Sequence, residues 1–178
     1  LFPYTTLFRS IERARIAPSA LRGSDTGIFL GATTFDYGRM IHDFPADAEG
    51  NLMLGRSGAV AAGRISYLMD WHGPAVTLDT MCSSSLVALH EACTALRSGD
   101  CEMAVVAGTA VLSTPEGYTE FSRQRGLARD GRCKAFSDDA DGTGWAEAVG
   151  VVVAERLSDA LSKGHPVLAV VRGSAVNQ

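Results

Sequence analysis

The segment Ser84 to Arg97, SSLVALHEACTALR, constrains this chain more than any other. Leu86, Leu89, Cys93 and Leu96 recur at i, i+3, i+7 and i+10, the spacing of an α-helix, and alanine or valine fills most positions between them. A helix that is apolar on nearly every side has no face to offer to water. It is expected inside the protein, packed between other elements.

The surrounding sequence supplies candidates for those elements. Gly27 to Thr33 (GIFLGAT) is a short apolar run bounded by turn residues, as expected of a buried strand, and Pro74 to Thr80 (PAVTLDT) is strand-like again. Ala59 to Met69 carries helical spacing at Val60, Ile65 and Leu68. Further strands are expected at Met103 to Val111, Val149 to Ala154 and Val167 to Val176, with a short helix at Arg156 to Lys163 closed by Gly164. The polar, turn-rich stretch Ser113 to Gly144 reads as a long excursion over the face of the domain. Strands alternating with helices, without repeats or low-complexity tracts, predict a layered α/β domain.

Composition agrees with a packed fold. With 178 residues, 46 % apolar and 20 % charged, the chain fits neither a disordered, a collagenous nor a disulfide-stapled class. Sixteen basic against twenty acidic residues leave a net charge of −4, and no basic run is present to follow a phosphate backbone, so nucleic acid is not an expected partner. Arg64, Asp70, Glu91 and Glu155 interrupt the most apolar windows, so no membrane span is expected. Cys82, Cys93, Cys101 and Cys133 form no C-x-x-C pair and read as reduced thiols of a cytoplasmic protein. Residues Leu1 to Ser10 (LFPYTTLFRS) show no evident periodicity and resemble a translated adapter oligonucleotide. On this reading the domain is an internal piece, residues 11–178, entered inside a helix and left on a strand.

Chemistry is expected where the strand at Pro74 to Thr80 runs into the central helix, through Asp79-Thr80-Met81-Cys82-Ser83-Ser84-Ser85. A thiol there faces the positive end of the helix dipole and the free N–H groups of the first turn, which favour thiolate and can stabilise an oxyanion on an attacked carbonyl. Position alone leaves two readings of Cys82 open: a covalent nucleophile, or a small buried hydrophobe.

Read as a whole, DTMCSSSLVALHEAC resembles the active-site signature of the β-ketoacyl synthases, whose polyketide members carry D-T-A-C-S-S-S ahead of an apolar helix. SGAVAAGRISY before it, and FSRQRGLARDGRCKAFSDDADGTGWAEAVG and VVVAERLSDALSKGHPVLAVVRGSAVNQ after it, are similar to the flanking blocks of ketosynthase domains from modular type I polyketide synthases. The resemblance covers Ile11 to Gln178 and implies the N-terminal half of a thiolase-like fold, layered αβαβα, working as a homodimer. It implies that Cys82 accepts an acyl chain from the phosphopantetheine arm of an acyl carrier protein, with its backbone N–H as half of an oxyanion hole, and that no cofactor is bound directly. A malonyl-type extender then decarboxylates and attacks that thioester. The two histidines that stabilise the enolate in the family lie in E-A-H-G-T-G-T and N-I-G-H blocks, which this sequence does not contain.

Other residues fit lesser roles. His90, eight residues past Cys82 on the same helix, lies roughly 12 Å away along the axis, and His42, His72 and His165 read as loop or surface residues. Asp141-Gly142-Thr143-Gly144 is a weak phosphate-turn motif, and Asp138, Asp139 and Asp141 fit a solvated acidic loop better than a cation site. Cys93, Cys101 and Cys133 read as buried or semi-buried. Against the family pattern, Met81 replaces alanine beside the acyl pocket, Arg129 replaces proline, and Ala146 and Ala148 replace glycines, with strain expected if those sites need positive φ or close backbone approach. A cysteine-dependent thioester hydrolase is a rival reading, but it needs a base and a water path that the sequence does not offer. A non-elongating relative would have replaced Cys82. A purely associative role would rest on Pro74 to Thr80, which in the family pairs across the dimer axis.

Overall fold

The computed structural model describes residues 2–33 and 51–177, so His42 lies outside the described residues. The elements are α1 (Phe2–Arg13), β1 (Thr26–Thr33), α2 (Leu52–Arg56), α3 (Ala61–Met69), β2 (Ala75–Leu78), α4 (Ser84–Ser98), β3 (Met103–Ala110), α5 (Glu116–Arg123), β4 (Ala148–Glu155) and α6 (Leu157–Lys163). They fall into two units, one of Leu1–Thr33, Ser57–Thr109 and Val149–Gln178, the other of Thr34–Arg56 and Ala110–Ala148.

The first unit is built on a four-stranded sheet in the order β2-β1-β3-β4, with β1 and β2 parallel and Ile28 opposite Ala75. The alternation of β1 divides the core in two. Ile28, Leu30 and Ala32 join Val105 and Ala107 of β3 on one face, where Leu7 and Ile11 of α1 and Ala62 and Met69 of α3 cover them. Phe29 joins Ala104 and Val106 on the other, under Ala88, Ala92, Ala95 and Leu96 of α4. Helices on both faces of a sheet whose central strands, β1 and β3, are buried are what the alternating segments predict.

Four expectations need correction. The segment from Phe2 to Ser10 is helical: it forms the first part of α1, and its Leu7, one turn before Ile11, is 3 % exposed while Ile11 is 0 % exposed. The outward-facing Phe8 and the polar Arg9 and Ser10 between them masked a single apolar stripe. Helix α4 is not enclosed on every side, because its sheet-facing stripe is the small residues Ser84, Ala88, Ala92 and Ala95 together with Cys93 and Leu96, while Leu86 is 70 % exposed. Strand β2 is an edge strand among the described residues, so it is half-exposed rather than buried. Val167 to Val176 forms no strand: among the described residues no backbone pairs with it, and β-propensity without a partner edge makes no ladder.

The second unit gives Ser113 to Gly144 more order than a loop. Helix α5 lies within it, the Trp145 ring packs against Phe121 and Tyr118 with centroids 4.7 and 5.7 Å apart, and Leu127 bridges Thr143. Elsewhere the chain follows its sequence signals. Helix α6 stops at Gly164, whose φ of +70° is the left-handed C-cap that glycine provides most readily. Arg156 donates from Nη1 to the Leu96 carbonyl at 2.9 Å, tying the start of α6 to the last turn of α4.

Candidate active site

Between β2 and α4 the chain makes a tight elbow. Met81 sits at φ 59°, in the left-handed region, at a backbone cost of roughly 1–2 kcal/mol for a residue with a Cβ. Its conformation is held by short hydrogen bonds from its neighbours. Asp79 Oδ1 accepts the Met81 N–H at 3.1 Å, the Ser84 hydroxyl donates to the Met81 carbonyl at 2.6 Å, and the same oxygen accepts the Thr80 N–H at 2.8 Å. The Ser83 hydroxyl donates to the Thr80 carbonyl at 2.9 Å. Cys82 stands at the bend, exposed, and among the described residues its sulfur makes no hydrogen bond.

The elbow rests on the sheet. A Cβ built on Gly31 of β1 would lie 2.5 Å from the Ser84 carbonyl carbon and the Ser85 nitrogen, so the first turn of α4 sits directly on a residue without a side chain. Gly108 of β3 plays the same part beneath the Ser85 side chain, 2.7 Å from an added Cβ. Ser84 itself is 4 % exposed. The sequence reading singled out Cys82 and Met81 and missed Asp79, Ser84, Gly31 and Gly108. The Asp two residues before Met81 was the available signal for an Asx turn.

Met81 points outward, 68 % exposed, with its sulfur 3.8 Å from the Thr33 hydroxyl at the end of β1. The described histidines have partners of their own. His90 Nδ1 lies 2.8 Å from Ser174 Oγ, His72 Nε2 is 3.4 Å from Asp70, and His165 Nδ1 is 2.5 Å from Glu155. The Asp-Gly-Thr-Gly segment is internally committed, since the Thr143 N–H goes to the Gly126 carbonyl and the Gly144 N–H to Cys133 Sγ. Asp141 holds Lys134 at 2.6 Å, and Asp130 holds it at 3.0 Å. Among the described residues no group of three His, Cys, Asp or Glu side chains is arranged to hold a metal.

Cys133 departs from its expected burial. It is exposed, because its segment is polar and turn-rich, and the Gly144 N–H, with the Thr143 hydroxyl 3.2 Å away, holds its thiol below the ordinary range. Burial pushes the Cys101 thiol up, and Cys93 is buried as expected. Ala146 and Ala148 are not among the residues at positive φ, so no strain from a left-handed backbone arises there, and Ala148 simply starts β4. Among the described residues no helix is long and apolar enough to cross a membrane.

The family model "Beta-ketoacyl synthase, N-terminal domain" matches residues 3–160. Polyketide synthase GfsB of Streptomyces halstedii is 58 % identical over 173 residues, 97 % of this chain and 3 % of that protein. Pikromycin polyketide synthase component PikAII of Streptomyces venezuelae is 55 % identical over 171 residues, 96 % of this chain and 5 % of its own length. Among solved structures, the oxazolomycin ketosynthase domain OzmH KS7 of Streptomyces albus JA3453 superposes with a TM-score of 0.81 at 39 % identity, covering 96 % of this chain and 30 % of that one. The ketosynthase from module 6 of the bacillaene synthase of Bacillus subtilis 168 gives 0.81 at 34 % identity, covering 93 % and 27 %. The chain thus spans a small part of each relative, and its sheet with helices on both faces is the N-terminal portion of a thiolase-like fold. By sequence and by structure, this chain belongs to the β-ketoacyl synthase family.

Proposed function

We propose that the chain carries the acyl-accepting cysteine of a ketosynthase that elongates polyketide chains, and that Cys82 is that residue. One observation carries the reading: an exposed thiol stands at a strained strand-to-helix elbow, braced from below by backbone, in a chain of this family. The Cys82 thiolate attacks the thioester carbonyl of an acyl chain, a new C–S bond forms, and the carrier's thiol leaves with the displaced electron pair. The negative charge that builds on the carbonyl oxygen falls beside the start of α4, where first-turn N–H dipoles favour it, and the Cys82 N–H is the donor we assign to it. Decarboxylation of a malonyl-type extender then gives a carbanion equivalent that attacks the Cys82 thioester. This forms the carbon–carbon bond and returns the thiolate.

The acyl chain arrives on the phosphopantetheine arm of an acyl carrier protein, which is therefore the first partner. The arm belongs to the substrate side, and the chain needs no bound cofactor of its own for the transfer step. The second partner is another copy of the synthase, joined through β2, whose outer edge is unpaired among the described residues. Four unpaired thiols support a reducing, cytoplasmic setting. His72, His90 and His165 are held by other residues, so the enolate is not assigned to them.

The test is elongation by the complete synthase polypeptide carrying this segment, with an acyl thioester and a malonyl-carrier protein. Cys82→Ala is expected to abolish the β-ketoacyl product. Undiminished product from that variant refutes the assignment.

A further inference from the structure

We infer that Ser84 is a positioning residue for acyl transfer, its hydroxyl acting as the clasp that fixes the Cys82 elbow; this rests on the reading of Cys82 as the acyl acceptor. Among the described residues, Ser84 Oγ is the one side-chain atom that bonds the backbone on both sides of the strained residue. It donates to the Met81 carbonyl at 2.6 Å and accepts the Thr80 N–H at 2.8 Å. The Ser84 N–H also donates to the Met81 carbonyl, at 3.1 Å, so that carbonyl is gripped twice by one residue.

Burial makes the clasp matter. Ser84 is 4 % exposed, and its backbone is seated on Gly31 of β1, so water has little access to replace the lost bonds. Ser83, by contrast, is exposed, and its hydroxyl bonds stay within Thr80. Met81 at φ 59° has an easier extended alternative, and moving toward it would swing the adjoining Cys82 away from the first turn of α4. The Ser84 hydroxyl opposes that motion by holding the carbonyl whose rotation it requires. Its effect is therefore on the rate of the chemical step rather than on how tightly the thioester binds.

The experiment follows acyl transfer from an N-acetylcysteamine thioester to Cys82 in the complete synthase polypeptide, by the mass of the Cys82 peptide against time and thioester concentration. Parent, Ser84→Ala and Ser84→Thr are compared, and protection of buried Cys101 from iodoacetamide reports that the sheet is intact. We expect Ser84→Ala to lower the limiting acylation rate about tenfold, with the half-saturating concentration unchanged within about twofold and Cys101 still protected. Ser84→Thr, which keeps the hydroxyl, restores most of the rate. A parental rate in Ser84→Ala overturns the inference, as does a loss that Ser84→Thr does not repair, or one that appears only with exposure of Cys101. If the parent itself takes no acyl group on Cys82, the underlying functional reading fails and this inference with it.

Discussion

Gly31→Ala tests whether the elbow depends on its contact with the sheet. The added methyl would lie 2.5 Å from the Ser84 carbonyl carbon and the Ser85 nitrogen and 2.6 Å from the Ser84 carbonyl oxygen, all of them backbone atoms that cannot rotate aside. Ordinary carbon contacts begin near about 3.5 Å, so the start of α4 must back away from β1 by roughly 1 Å. Forcing such a shift in a packed interior costs about 1–3 kcal/mol, which for a domain of this size is a fall in Tm of roughly 3–10 °C. A displacement of that size at the reacting sulfur is far more damaging to rate, on the order of 100-fold. The variant is therefore expected to lose acylation much more than stability, measured by thermal unfolding and by the mass of the Cys82 peptide in the same samples. Gly63→Ala is the matched control: nothing lies within 4 Å of its added Cβ, and alanine in the middle of α3 is expected to raise stability by about 0.5–1 kcal/mol. A Gly31→Ala protein with the parental Tm and the parental acylation rate would refute the reasoning.

Met81→Ala is expected to change the relative acylation rates of short and long or branched acyl thioesters, because a 68 % exposed methionine next to the nucleophile is replaced by a methyl group; an unchanged rate ratio across a thioester panel removes Met81 from specificity. Cys133 is expected to react with iodoacetamide before Cys101 at pH 7.5. A lowered thiol pKa leaves more thiolate at a given pH, Cys133 is exposed, and Cys101 is buried with its thiol pushed up. Thr143→Val, which removes the hydroxyl 3.2 Å from Cys133 Sγ, should slow that labelling severalfold, and peptide mass mapping that finds Cys101 labelled first contradicts the account.

Strands β1 to β4 and the central helix were legible in the sequence because a continuous apolar run, as in β1, and helical spacing, as in α4, mark such elements, whereas the apolar run Val167 to Val176 formed no strand. Which side of α4 meets the sheet was not legible. The leucines drew attention, yet the stripe that packs is serine and alanine, since close approach over Gly31 and Gly108 requires small residues on both partners. The helix expected at Ile11 is there, but its start at Phe2 was missed because its apolar residues are separated by threonine, arginine and serine, and only packing with residues of β1 and β3 makes Leu7 and Ile11 core. Helix α5 was missed because its amphipathic stripe is short and its anchor, Trp145, lies more than twenty residues away in sequence. At the site, the placement of Cys82 just ahead of a helix was readable from the sequence. The bracing was not, because the bonds of Ser84 to Thr80 and Met81 depend on a left-handed backbone at a methionine, a conformation that no pattern of side chains announces.

The most direct measurement is the mass of the tryptic peptide containing Cys82 after the complete synthase polypeptide has been incubated with an acyl thioester and quenched at acidic pH. The account predicts an increment equal to one acyl group, located on Cys82 by fragmentation and absent from Cys93, Cys101 and Cys133. An acyl group found on another residue, or an unmodified Cys82 in a protein that still elongates chains, would contradict it.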